Sequence, residues 1–305
     1  MRAITRVGDI IRGKSVKDKQ IRAAYVFIIP CVLFFIVTFI YPTFYAFWLT
    51  LQKWSFIGAP EFVGFEQYIR VFHDSLFWKS MKNTLVLALL SVPPTMVLAL
   101  GAALLFNAAT AFPFRRLFRA IYFLPVITSS VAIAFVWDWL YQPQIGLFNA
   151  ILTTLGLPRQ MWLTSATEVL PSLALMNIWA RLGFDMVIFW AGLRGIPRIY
   201  YEAAMIDGAS PFQRFRHITL PLLNPQIVLV TVIEVINVLK IFDIPYIATR
   251  GGPANASRVA VLHIYDLAFT WNRVGEASVA ALFLFACIMV ATLLQWRVLR
   301  RPVEY

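Results

Sequence analysis

Three polar residues recur at every fourth position of an otherwise apolar run: Asn177, Arg181 and Asp185. That spacing puts all three on one face of a helix. A second set, Glu234 and Asn237 with Ile241, shares another face, and Lys240 lies near its end. Carboxylates, amides and a guanidinium can exchange hydrogen bonds with the hydroxyls of a sugar, and aromatic rings can cover its apolar face. Both faces are therefore candidates to line a solute path. For Arg181 and Asp185 a second reading stays open, an i,i+4 salt bridge that ties a helix bundle together. Charge inside an apolar helix is expensive, so either role needs a physical reason. Bond-making chemistry is not on offer. No GxSxG, HExxH or Walker A sequence occurs, and His73, His217 and His263 are too scattered to suggest a metal site. Cys31 and Cys287 both fall in apolar runs, where thiols act as small packing groups and make no disulfide framework.

The elements that carry these groups belong in a bilayer. Of the 305 residues, 60% are hydrophobic and 14% charged, with a mean hydropathy of +0.72, outside the range of ordinary soluble domains. A hydrocarbon core of about 30 Å needs about 20 apolar residues per helical crossing. Apolar runs bounded by charge predict six spans, at about 24–50, 84–108, 119–140, 169–193, 222–247 and 277–297. The first is too long for a signal-peptide core and lacks a small-residue cleavage site, so it is expected to be retained. Pro93-Pro94 predicts a kink in the second, and Trp137 and Asp138 fall near the outer end of the third.

The formal charge of +12 would suit nucleic acid, but the basic residues sit in short segments between apolar stretches, the signature of membrane topology. Seventeen Lys and Arg fall in the N-terminal tail, the second and fourth connections and the C-terminus, against eight in the remaining connections. The positive-inside bias then places both termini in the cytoplasm, which an even number of spans satisfies. The expected fold class is all-α and polytopic, with a basic cytoplasmic tail over 1–22, a six-helix transmembrane domain over 23–301 and a short cytoplasmic end at 302–305.

The fourth connection, 194–221, differs from the others. Pro197 is expected in the first turn of a short helix that runs from Arg198 to Ile206, with Gly208 as its left-handed C-terminal cap. Ser210-Pro211-Phe212-Gln213 then combines an N-cap serine, a proline at the first position and a capping-box glutamine. Pro221 and Pro225 are expected to end that helix and restart the chain. Ala203 and Ala204 leave one face of the first helix thin enough to enter a groove on another protein, with Glu202 as an exposed anion beside them. The expected product is a rigid elbow outside the bilayer.

Glu202-Ala203-Ala204, then Asp207-Gly208, Ile218 and Leu220-Pro221, resemble the EAA motif of ABC importer permeases. The stretch from Ile196 to Pro225 is similar to the sugar-type branch of the binding-protein-dependent permeases, as are Trp179, Gly183-Phe184, Ile241-Phe242-Asp243 and Gly251-Gly252-Pro253. Gln52 through Phe72 adds to the likeness, which extends from Tyr25 to about Trp296. Arg250, where that branch more often has a small or polar residue, departs from it.

The resemblance implies that Glu202, Ala203, Ala204, Asp207 and Gly208 couple the chain to an ATPase. It further implies a second, often non-identical permease, two ATPase subunits that carry the ATP and magnesium, and an extracytoplasmic solute-binding protein. The membrane would be the plasma or inner membrane of a prokaryote, the mechanism alternating access, and the solute a saccharide or a polyol phosphate. This chain would itself be no enzyme and hold no cofactor. A gradient-driven secondary carrier is the main alternative, but it gives no reason for the elbow and commonly shows internal repeats that are not seen here. A membrane enzyme would have to assemble its site from Arg181, Asp185, Glu234 and Lys240 without a nucleophile or metal set.

Overall fold

Asp74 opens the longest helix among the described residues: its Oδ1 accepts the Leu76 N–H at 2.8 Å, and the chain then stays helical to Ala108. The computed structural model describes residues 20–21, 23–56, 58–108 and 122–299 and is mostly helical. Most of the basic tail, the cluster Arg115, Arg116 and Arg119, and residues 300–305 lie outside the described residues. In chain order the elements are α1 (Ala23–Leu49), the two-stranded hairpin β1 (Gln52–Lys53) and β2 (Glu61–Phe62), α2 (Glu66–His73), α3 (Ser75–Ala108), α4 (Ser130–Leu140) and α5 (Leu147–Thr154). They continue with α6 (Val169–Gly195), α7 (Arg198–Ile206), α8 (Pro211–Leu222), α9 (Asn224–Leu239), α10 (Asp243–Thr249), α11 (Ala260–Thr270) and α12 (Val274–Leu299).

Among the described residues α1, α3, α6 and α12 are long and apolar enough to cross a membrane, and α8 with α9 makes a fifth if that pair, bent by 65°, counts as one span. α3 begins nine residues before the expected 84. Charge at Lys79 and Lys82 ends the hydropathy signal, but not the helix. Lys79 Nζ donates to the Ala254 carbonyl at 2.7 Å, and Asn83 Nδ2 to the carbonyls of Asn255 and Arg258 at 3.1 and 3.0 Å. Pro93 and Pro94 sit inside a continuous α3, where Ser91 and Thr95 turn their hydroxyls back on carbonyls one turn earlier.

The third expected span is helical over 122–127, leaves the helix at Thr128 and Ser129 and resumes as α4. The fifth is not one helix over 222–247. Pro245 cannot donate to the carbonyl one turn back, so α9 stops at Leu239 and the chain restarts as α10, with Pro245 in a first turn that needs no donor there.

α3 and α6 run parallel and pack along their length, Leu87 and Val92 against Leu173 and Met176 at one end, Ala99 and Ala103 against Met186 and Phe189 at the other. α9 returns between them and α12. Close approach is set by glycine: a Cβ on Gly183 would lie 1.9 Å from the Tyr122 carbonyl oxygen and 3.3 Å from a Val126 methyl. Because the obstacle is backbone, Gly183→Leu must push α6 away from 122–127. Overpacking of this kind costs about 1–3 kcal/mol. A lowered thermal midpoint of the purified protein is the expected readout.

The end of the bundle away from α7 and α8 carries the hairpin, α2, α10 and α11. Val274 N–H donates to the Trp54 carbonyl at 3.1 Å there, locking the hairpin to the start of α12. His263 of α11 is buried among Phe77 and Trp271, with Asp74 at 3.5 Å and Arg258, Asp266 and Arg273 nearby. Burial pushes its imidazole from the ordinary 6.5 down to about 4, against the pull of Asp74 and with help from Arg258. A histidine whose folded pKa is depressed binds its proton more readily unfolded. Stability is therefore unaffected above about 6.5 and is lost as pH falls from there toward about 4. The loss reaches about 3 kcal/mol at roughly 1.4 kcal/mol per pH unit. In thermal melts across that range, His263→Gln should fall less steeply than the parent.

Candidate functional site

The polar faces of α6 and α9 meet, but not in the pairing that an i,i+4 bridge requires. Arg181 reaches across to α9, where its Nε donates to Glu234 Oε1 at 2.7 Å and its Nη2 lies 2.6 Å from the same oxygen. The guanidinium also sits 5.1 Å above the Phe184 ring. Asp185, wholly buried, lies beside Glu234 and forms no salt bridge with Arg181. The structural alternative of an Arg181–Asp185 pair is thus replaced by a bridge between helices. Spacing of four favours neighbours on one helix, yet packing brings an equally buried carboxylate from another helix to the same guanidinium.

Glu234 does not line open space as expected, because it is 0% exposed behind Arg181. Asn177, Arg181 and Asn237 do line a cavity of about 340 Å³, with Thr128, Ser130, Lys240 and Asp243. Ser130 donates to Asp243 Oδ2 at 2.6 Å, which joins the break between 122–127 and α4 to the break between α9 and α10. Ser130 and Thr128 were not singled out by sequence. Their only signal is a Thr-Ser-Ser run inside an apolar stretch, a weak one because hydroxyls also bond back to their own helix. Next to this cavity, Asn177 Nδ2 has no hydrogen-bond partner among the described residues, and the Asp185 and Glu234 carboxyl groups adjoin each other. Of these residues only Asn177 lines the cavity; Asp185 and Glu234 are fully buried behind its wall.

At the far end of α6 the chain turns out of the bundle. Pro197 stands just outside α7 as its N-cap, with ψ 135°, one position earlier than expected. Ala209 N–H bonds back to the Ala204 carbonyl at 2.8 Å and Gly208 N–H to Met205 at 3.1 Å, with Gly208 at φ +75°. These two bonds close the last turn and aim the chain into α8. There Ser210 N–H donates to Gln213 Oε1 at 2.7 Å and Gln213 N–H to Ser210 Oγ at 3.3 Å, with Pro211 at the first position. Pro221 does not end α8. The helix widens over Phe215–Thr219, continues to Leu222 and bends only at Leu223.

Tyr201 holds the two short helices together through Thr219 Oγ1 at 3.0 Å. Glu202, Ala203, Asp207 and Gly208 are exposed and Ala204 is half-buried, beside an apolar edge of Ile199, Met205, Ile206 and Phe212. Sequence reasoning named the small residues and missed this edge, although Ile206 at 87% exposure is among its largest members. A single apolar residue next to a turn carries no periodic signal.

Residues 95–303 match the family model described as binding-protein-dependent transport system inner membrane component. The chain is 32% identical to the trehalose/maltose transport system permease protein MalF of Thermococcus litoralis, over 93% of this chain and 96% of that one. It is 34% identical to the sulfoquinovosyl glycerol transport system permease protein SmoG of Agrobacterium fabrum, over 80% and 79%. Its fold is similar to that of a bacterial ABC transporter involved in the import of the acidic polysaccharide alginate, with a TM-score of 0.82 at 26% identity over 94% and 99% of the two chains. A second structure of an alginate ABC transporter, in complex with an alginate pentasaccharide-bound periplasmic protein, matches at a TM-score of 0.83 and 26% identity, over 93% and 96%.

Proposed function

The chain belongs to the family of binding-protein-dependent transport system inner membrane components and is a permease subunit of an ABC importer, a transport component rather than an enzyme; from that premise we propose that α7 and α8 are its coupling elbow and that the solute is a saccharide. The observation that carries this reading is the sealed geometry of 203–213. Schellman bonds, a left-handed Gly208 and a two-way capping box fix two short helices at one angle outside the bundle, and they leave an apolar edge without a partner among the described residues. A rigid lever with an uncovered apolar face suits a protein that receives force from another chain.

In this reading the elbow lies in the cytoplasm, both termini lie on the same side, and the fold holds six spans. The third span runs through 122–127 and α4, and the fifth through α9 and α10. Two permeases, two ATPase subunits holding ATP and magnesium, and an extracytoplasmic binding protein complete the machine. ATP-driven closure of the ATPases draws the elbows together as rigid bodies and rocks the spans between inward and outward access.

The saccharide assignment rests on the cavity and on the relatives. Asn177, Asn237, Thr128 and Ser130 offer amide and hydroxyl partners, and Arg181, Lys240 and Asp243 add charge at the rim. The relatives are named for trehalose/maltose and sulfoquinovosyl glycerol, and the solved transporters for alginate. A cross-linking experiment tests the elbow. Ala203→Cys, in a chain whose Cys31 and Cys287 are replaced by alanine, should cross-link to the ATPase through a short bifunctional thiol reagent. A cysteine at the far end, Ala59→Cys, should not. Equal yields at the two positions, or none at 203 in an assembled importer, would remove the elbow from the interface.

A further inference from the structure

A second cavity lies beside the elbow, apart from the one that Asn177 and Asn237 line. It measures about 760 Å³ and lies where α3 and α6 end and α7 begins. Its described wall holds two cations, Arg194 and Arg198, and no carboxylate. Polar atoms come from Asn107, Tyr201 and Thr219, and apolar surface from Leu104, Leu193, Ile196 and Phe215. Arg194 rests on the Trp190 ring at 5.2 Å, which holds its guanidinium at the rim without neutralising it. Neither arginine makes an ion pair among the described residues. α7 starts at this wall with a backbone N-cap and no capping side chain, so its first N–H groups add partial positive charge on the same side.

We propose that this cavity binds the phosphate of an anionic phospholipid headgroup, with Arg194 and Arg198 as its ligands and the elbow base as its floor. Three features favour a lipid over a soluble phosphate. The cavity lies at the ends of α3 and α6, two helices long and apolar enough to cross a membrane, its wall combines apolar side chains with two cations, and basic pockets between spanning helices suit such headgroups. Headgroup phosphate is the shared chemistry, and a free phosphate monoester would meet the same arginines without using Leu104, Leu193 or Phe215. A bound lipid would brace Tyr201 and Thr219, the pair that ties α7 to α8. The site goes beyond the coupling role, since it concerns the opposite side of the elbow from Ala203.

The test uses the importer assembly purified through this chain in a neutral detergent. Thermal midpoints are followed while short-chain phosphatidylglycerol, phosphatidylcholine or glycerol 3-phosphate is titrated. Phosphatidylglycerol should raise the midpoint and the other two should not. Each arginine near a lipid surface is worth about fivefold in affinity, so Arg194→Gln with Arg198→Gln should need about thirtyfold more phosphatidylglycerol for the same shift. Arg194→Lys with Arg198→Lys should keep most of the response, because a headgroup phosphate accepts a point charge. Ala108→Trp, which sets a bulky ring into the cavity wall and leaves both arginines, should weaken the response and covers the case in which the double glutamine variant does not assemble. An equal response to glycerol 3-phosphate would overturn the lipid as ligand. An unchanged response in the Ala108→Trp protein would overturn the cavity as the site.

Discussion

Gly208→Val is expected to lower ATP-driven solute uptake by about tenfold while the chain still assembles in the membrane. A Cβ at 208 would meet nothing within 4 Å, so the substitution causes no clash. Its effect comes from the backbone, which sits at φ +75°, where an ordinary L-residue costs about 1–2 kcal/mol and a β-branched one more. That difference changes the population of the capped elbow by a factor of roughly 5–30. ATP hydrolysis by the assembled importer should continue, because no residue near 208 touches nucleotide in this reading, and the ratio of solute moved to ATP consumed should fall. Gly208→Asn tolerates the left-handed region and should stay close to the parent. If valine and asparagine behave alike, the cap does not set the elbow's angle.

The second large effect separates binding from bracing in the bundle. Arg181→Met alone leaves Glu234 and Asp185 buried without their cation, and removal of one partner from a buried pair costs about 3–5 kcal/mol. Poor assembly is the expected outcome. Neutralising the cluster together, by Arg181→Gln with Asp185→Asn and Glu234→Gln, removes that penalty, and the thermal midpoint should return most of the way. Uptake should not return. Arg181 lines the 340 Å³ cavity, and a charge-assisted hydrogen bond lost to a solute is worth about 1.5–3 kcal/mol, or roughly tenfold to a hundredfold in affinity. Recovery of both stability and uptake would make the cluster a brace and place the solute elsewhere.

What could be read from the sequence depended on how local its cause is. The ends of α7 and the start of α8 follow from neighbours within six residues, so Gly208, Ser210, Pro211 and Gln213 were legible as caps. Long apolar runs were equally legible, and α1, α6 and α12 lie within three residues of their expected bounds. Charged helix was not: α3 extends through Lys79 and Lys82 because a loop far along the chain, at Ala254 to Arg258, takes up its polar side chains.

The same limit explains the site. Asn177, Arg181 and Asp185 were placed on one face correctly, but which carboxylate Arg181 meets depends on the packing of α6 against α9, which no periodicity encodes. Breaks misled in a similar way. Pro221 is absorbed by a widened turn after Arg214, whereas Pro245 does interrupt the helix, and the two prolines look alike in sequence. The cavity residues Thr128 and Ser130 come together with Asp243 only because the helix breaks at 128–129 and at 240–242 pack side by side.

Reconstitution tests the central claim most directly. Vesicles holding this chain with its partner permease, its ATPase subunits and a loaded binding protein should accumulate labelled saccharide when ATP is enclosed with the ATPases. They should lose that uptake when the ATPases are omitted, whatever proton or sodium gradient is imposed. Uptake by the permease chains alone, driven by such a gradient, would contradict the account, since the elbow would then have no force to carry.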